Sequence, residues 1–113
     1  MLNNKETWHK GEAGAAKFLT KLKYKILEKN FTTKVGEIDI IAKIDGVYVF
    51  VEVKARLSEK YGLPREAVTM AKQSKIRRVA QEYLISKNDY PSLMRFDVIE
   101  ILGESITHII DAF

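Results

Sequence analysis

The chain contains no cysteine, which removes disulfides, thiolate metal ligands and cysteine nucleophiles together. It has two histidines, His9 and His108, far apart in sequence, and without thiolate partners they give a zinc site little support. No apolar run approaches the roughly 20 residues of a membrane span. Met1 to Lys10 is polar and lacks the apolar stretch of a signal peptide. Internal repeats, low-complexity segments and dividing linkers are missing too. These absences lead to the expectation of one soluble, cytoplasmic domain over residues 1–113, with no membrane partner.

The chain is 46% apolar and 30% charged, a composition that builds a packed core. Its net charge of +4 is modest, but the distribution is uneven. Between Lys54 and Arg78 stand eight basic residues, Lys54, Arg56, Lys60, Arg65, Lys72, Lys75, Arg77 and Arg78, against Glu59 and Glu66. That net +6 leaves −2 for the rest of the chain. A polyanion partner would suit this region, although any single lysine in it reads better as part of a solvated helix face.

The stretch that organises the rest is a hairpin, Val35 to Ile44 and Val47 to Ala55, joined through Asp45-Gly46. Asp-Gly between β-branched runs predicts a two-residue turn, which fixes Ile44 opposite Val47. Counting back from that pair sets Asp39 across from Glu52 and Glu37 across from Lys54. Three carboxylates, Glu37, Asp39 and Glu52, and a lysine then share one face with Ile41 and Phe50. Ile38, Ile40, Ala42, Val47, Val49, Val51 and Val53 take the other. Like charges across a ladder repel, so a bound cation is the economical compensation. The alternative is a solvated polar face carrying a Glu37–Lys54 ion pair.

A helix is expected over about His9 to Lys23, with Ala15, Ala16, Phe18, Leu19 and Leu22 on its apolar face. Glu12 falls inside that stripe, where a carboxylate is costly unless paired or ligated; alternatively it is a first-turn acid favoured by the helix dipole. A strand is expected over Tyr24 to Phe31, and Arg56 to Pro64 reads as a loop interleaving basic and aromatic residues. A second helix, about Met70 to Lys87, has Thr69 as N-cap and a stripe of Ile76, Val79, Ala80, Tyr83 and Leu84. Lys72, Gln73 and Lys75 lie at its start. Strands over Met94 to Leu102 and Ser105 to Ala112 complete the order αβββαββ, an α/β sandwich with a mixed sheet between two helices.

The oxygen donors of Asp39 and Glu52, with Glu12 or Glu37 nearby, select Mg²⁺ or Mn²⁺. A cation so held leaves room for water and a phosphate oxygen, and Lys54 could orient that water or neutralise developing charge. Glu-x-Lys on a strand is common, and alone it is weak evidence.

Asp39 followed by Glu52-Val53-Lys54 on the next strand resembles the signature of the PD-(D/E)XK nuclease superfamily. More closely, Gly11-Glu12, Gly36-Glu37-Ile38-Asp39-Ile40-Ile41-Ala42, Val49-Phe50-Val51-Glu52-Val53-Lys54, Glu66-Ala67-Val68 to Lys72-Gln73, Arg95-Phe96-Asp97-Val98 and Asp111-Ala112-Phe113 resemble the bacterial YraN family across nearly the whole chain. Ile38 stands where the superfamily pattern has proline. The resemblance implies a restriction-endonuclease-like three-layer sandwich, similar to Holliday-junction resolvases. It also implies metal carboxylates at Asp39 and Glu52, a catalytic lysine at Lys54, and Glu12 completing the metal site. Lys72 and Gln73 match a polar pair at the start of the second helix.

The expected function is therefore a Mg²⁺- or Mn²⁺-dependent endonuclease acting on nucleic acid, DNA ahead of RNA, on branched or other non-standard structures. Arg56, Lys60, Lys72, Gln73 and Lys75 are the expected nucleic-acid contacts. Symmetric cleavage of two strands would require a homodimer. Two alternatives stay open: a non-catalytic nucleic-acid-binding module, and an interaction or dimerisation domain that keeps the nuclease fold.

Overall fold

The computed structural model describes residues 4–56, 68–91 and 93–113, with residues 4–10 and Arg56 described by their backbone alone. Helix α1 (Asn4–Lys21) leads into strands β1 (Lys25–Thr32), β2 (Glu37–Ile44) and β3 (Val47–Arg56). Helix α2 (Met70–Ser86) then connects β3 to β4 (Met94–Leu102), and β5 (Ser105–Ile109) closes the chain's regular structure. The strands lie in the order β1-β2-β3-β4-β5, antiparallel except for the parallel β3–β4 pair. Parallel neighbours need a crossover, and α2 supplies it. The architecture is the expected α/β sandwich, with one helix against each face of a mixed sheet.

The hairpin turn forms as its residues require. Asp45 (φ 48°) and Gly46 (φ 79°) both take positive φ, as a type I′ turn demands, and Ile44 pairs with Val47. β3 is the central strand and is buried on both faces. Tyr48 and Phe50 join the α2-side cluster with Ile76, Val79, Ala80, Tyr83 and Leu84. Val49, Val51 and Val53 join the α1-side cluster with Ala15, Ala16 and Leu19. Thr69 caps α2, its side-chain oxygen accepting from the Lys72 N–H at 3.2 Å.

Four expectations are corrected. Ile38 packs on the α2 side, away from Ile40 and Ala42. The β1–β2 ladder pairs Lys29 with Ile40 and Phe31 with Ile38 but skips Asn30 and Asp39, and Asn30 sits at φ 53°. The left-handed Asn30 interrupts the alternation of β1, and Ile38 itself lies past the last β2–β3 pair, Ile40↔Val51, where β2 no longer keeps its facing relative to β3. Leu22 is 47% exposed, because α1 ends at Lys21 and Lys23 (φ 75°) turns the chain away. α1 also begins earlier than expected, at Asn4, and β5 ends earlier, at Ile109.

Candidate functional site

The site arises where the central hairpin comes apart. Pairing between β2 and β3 runs from the turn to Ile40↔Val51 and stops, although both strands continue. Beyond that point β2 stays with β1 as far as Thr32↔Glu37, and β3 stays with β4 as far as Arg56↔Leu102. The sheet forks. Asp39–Glu52 and Glu37–Lys54 are therefore not ladder pairs, as counting from the turn had predicted; the outer strands hold the two arms apart. In the fork the Asp39 Oδ2 accepts a 2.8 Å hydrogen bond from the Val53 N–H, a side chain taking the place of a missing strand partner.

The fork opens into a cleft of about 740 Å³ beneath the start of α2. Asp39, Glu52 and Lys54 line it from the strands, Glu37 from the entrance to β2, and Thr69, Lys72 and Lys75 from the helix. Glu12 approaches from α1 on the opposite face. Gly11 lets it do so: a Cβ there would stand 2.6 Å from the Ala55 Cβ, so only glycine permits this contact between α1 and β3.

Glu12, Asp39 and Glu52 are buried, at 6%, 6% and 7% exposure. Burial, and then the neighbouring Glu52 charge, pushes the Asp39 carboxyl up to about 7; Glu12 and Glu37 add to this, while the Val53 N–H opposes it. Glu52 is held by two ammonium groups. Lys72 Nζ lies 2.6 Å from its Oε1, and Lys54 Nζ lies 3.5 Å from the same oxygen. Burial lowers the Lys54 pKa, helped by adjacent Lys72. Burial pulls Lys72 down most strongly of any single cause, but its hydrogen bond to Glu52 and the Glu52 and Asp39 charges, with its contact to Lys54, together outweigh that and hold it above the usual lysine range.

The donor chemistry suits a hard divalent cation: the cleft is lined by carboxylates and by neither histidine. The arrangement is not a finished cage. Among the described residues, no three Asp, Glu, His or Cys side chains stand together as a ready-made cation site. Glu52 instead spends its charge on Lys72 and Lys54.

The expected site residues thus divide. The structure brings Asp39, Glu52, Lys54, Lys72 and Lys75 to one cleft, with Glu12 behind it. Gln73 is turned to the protein, its Nε2 donating to the Val68 carbonyl at 3.0 Å and fixing the entry to α2. Arg56 ends β3, and its side chain is outside the described residues, as are Lys60 and the rest of the expected loop from residue 57 to Pro64.

Sequence reasoning missed a second buried polar cluster. Asp97 is fully buried in β4 and accepts from Arg95 Nε and Nη2, both at 2.9 Å, and from the Asp111 N–H at 3.0 Å. His108 Nε2 lies 2.7 Å from its Oδ2, and Arg95 also donates to the Tyr24 hydroxyl at 2.6 Å. The signal was present: an aspartate in the middle of Phe96-Asp97-Val98-Ile99 needs partners wherever that strand is central. The cluster ties β4, β5 and the C-terminal turn to Tyr24, the residue just before β1.

Comparison with known proteins places the sequence. The profile of the uncharacterised protein family UPF0102 matches residues 11–101. The chain belongs to this family. The UPF0102 protein of Caldanaerobacter subterraneus subsp. tengcongensis is 47% identical over 119 residues, covering 99% of this chain and 98% of its own. That of Clostridioides difficile is 47% identical over 114 residues, covering 99% and 100%. That of Thermodesulfovibrio yellowstonii is 48% identical over 109 residues, covering 96% of each. UPF0102 is the YraN-type group that the motifs resemble, and its profile spans Glu12, the whole fork and the Asp97 strand. Among the described residues, no helix of this UPF0102 chain is long and apolar enough to cross a membrane.

Proposed function

We propose that this UPF0102 protein is a divalent-cation-dependent endonuclease of the PD-(D/E)XK type, hydrolysing phosphodiester bonds in nucleic acid, DNA ahead of RNA. The observation that carries this reading is the placement of buried Asp39 and Glu52 beside Lys54 at the fork of an open cleft, with the Asp39 carboxyl pushed up to about 7. Perturbed carboxylates in a cleft mark sites that bind cations or move protons.

Asp39 and Glu52 would hold Mg²⁺ or Mn²⁺; Glu12, the further donor that the resemblance implies, would have to close on them, since the three acids do not stand together as a ready-made site. Once bound, the cation would polarise a phosphate and lower the pKa of its water. The chain's own groups do the rest. The Val53 N–H fixes the Asp39 carboxylate. Lys54, its pKa lowered by burial, orients the attacking water and neutralises charge gathering on phosphorus. Lys75 lines the mouth of the cleft and meets backbone phosphates, and a volume near 740 Å³ accommodates a nucleotide-sized group. Branched or otherwise non-standard DNA is the substrate class implied by the resemblance to junction resolvases, which would act as a homodimer.

A non-catalytic nucleic-acid-binding module is the second reading. The observation favouring it is the pairing of Glu52 with Lys72 and Lys54, which neutralises the acid without a metal. The assay that separates them is cleavage of single-stranded, duplex and branched DNA and of RNA, with Mg²⁺, Mn²⁺ or chelator. The nuclease reading expects cation-dependent cleavage that Asp39→Ala and Glu52→Ala abolish. The binding reading expects salt-sensitive binding with no cleavage.

A further inference from the structure

We propose that Lys72 is a placeholder for the divalent cation: its ammonium neutralises Glu52 when the site holds no metal, and it must leave that carboxylate for a cation to bind there. The inference rests on the cation-binding reading above and assigns Lys72 a role separate from contacting nucleic acid.

Three observations carry it. The first is the contact. A 2.6 Å Lys72–Glu52 pair is a charge-assisted hydrogen bond to a carboxylate only 7% exposed, so the ammonium occupies one of the two oxygens that an incoming cation would use. The second is the uneven sharing of charge in the fork. Glu52 has two ammonium groups, Lys72 and Lys54, whereas Asp39 has the Val53 N–H and carries the strain of the acidic cluster. A dication between the two carboxylates would serve both, and it would repel an ammonium held that close on Glu52.

The third is the seat of Lys72 on α2. With Thr69 as N-cap, Lys72 is the third residue of the helix, and no acidic residue occupies that first turn. The positive end of the helix dipole disfavours a cation there, so the helix itself does not retain the ammonium; Glu52 does. The base of the side chain is nonetheless fixed, because the Lys72 N–H donates to Thr69 and Gln73 ties down the Val68 carbonyl. The side chain is 39% exposed, which leaves an open path from Glu52 into the cleft. Lys72 is therefore a positioning residue with two seats. One is on the acid of the metal-free site, and the other is in the cleft, beside any anion the cation brings.

The test is Mn²⁺ binding to the metal-free full-length protein by titration calorimetry, without nucleic acid. Lys72→Met should bind Mn²⁺ about 10-fold tighter than wild type, the gain expected when a competing charge-assisted contact is removed. Lys72→Arg keeps the charge and should stay near wild type. Arg78→Met, which removes one exposed charge from the same helix, should change affinity by no more than about 2-fold, since distant exposed charges are screened. Lys72→Met with Glu52→Gln should lose the gain. If wild type binds Mn²⁺ and Lys72→Met binds it equally or more weakly, the placeholder role is overturned and the cation site stands. If neither binds at millimolar Mn²⁺, the cation reading falls with it.

Discussion

Replacing Asp39 with asparagine should stabilise the metal-free protein while removing a residue its proposed chemistry needs. Asp39 is 6% exposed, and burial together with the Glu52 charge raises its carboxyl from 3.8 to about 7. At ~1.4 kcal/mol per pH unit, holding that group ionised in the folded protein costs at most about 4 kcal/mol. Asparagine can still accept from the Val53 N–H through its amide oxygen, but its own amide must be desolvated, so a gain of about 2 kcal/mol is expected. The sign follows from proton binding. Between pH 3.8 and about 7 the folded protein binds this proton more tightly than the unfolded chain. Wild-type stability therefore falls as pH rises through that window and stays low above it. Asp39→Asn lacks this slope. Urea denaturation with chelator at about pH 5 and about pH 8 should show the variant's advantage widening with pH. An Asp39→Asn protein no more stable than wild type at about pH 8, or a gap that ignores pH, would refute the reasoning.

Asp97→Asn should cost about 3 kcal/mol in urea denaturation, because it breaks a buried charge network and leaves Arg95 and His108 facing an amide. The Asp97 pKa is lowered, since burial, which raises it, is outweighed by His108, Arg95 and the Asp111 N–H. Its contribution is thus present above the unfolded carboxyl's range and lost as pH falls through the lower folded value, so the variant should show a flatter acid limb than wild type. Gly11→Ala should destabilise by ~2 kcal/mol, because its Cβ would meet the Ala55 Cβ at 2.6 Å. Gly14→Ala meets only the end of Ile101 at 3.5 Å, and by helix propensity it should be neutral or stabilising by ~0.5 kcal/mol.

What was legible in the sequence was local. The Asp45-Gly46 turn and its first pair follow from two residues, and the α2 stripe from a period within one helix; both stand in the structure. Glu12 stood between two readings, a buried acid from its angle on α1 and a first-turn acid, and it is buried. The fork was not legible, because counting from a turn assumes that two strands stay together. Here β1 and β4 each keep one arm, and that competition is settled by partners distant in the chain. Ile38 changed faces for a related reason, since it lies beyond the last β2–β3 pair and nothing in the alternation marks where that pairing ends. Lys72 was correctly located at the start of α2, but its ammonium is on Glu52, a contact between elements that no single periodicity reveals.

The central claim is that the acids of this fork bind a divalent cation and cut nucleic acid. It is tested most directly by incubating purified wild type, Asp39→Asn and Glu52→Gln with branched, duplex and single-stranded DNA in Mg²⁺ or Mn²⁺. Cleavage is expected from wild type alone, stopped by chelator, with both variants folded and Asp39→Asn more stable than wild type. Cleavage that survives either substitution, or a wild-type protein that binds Mn²⁺ yet cuts none of these DNAs nor RNA, would contradict it.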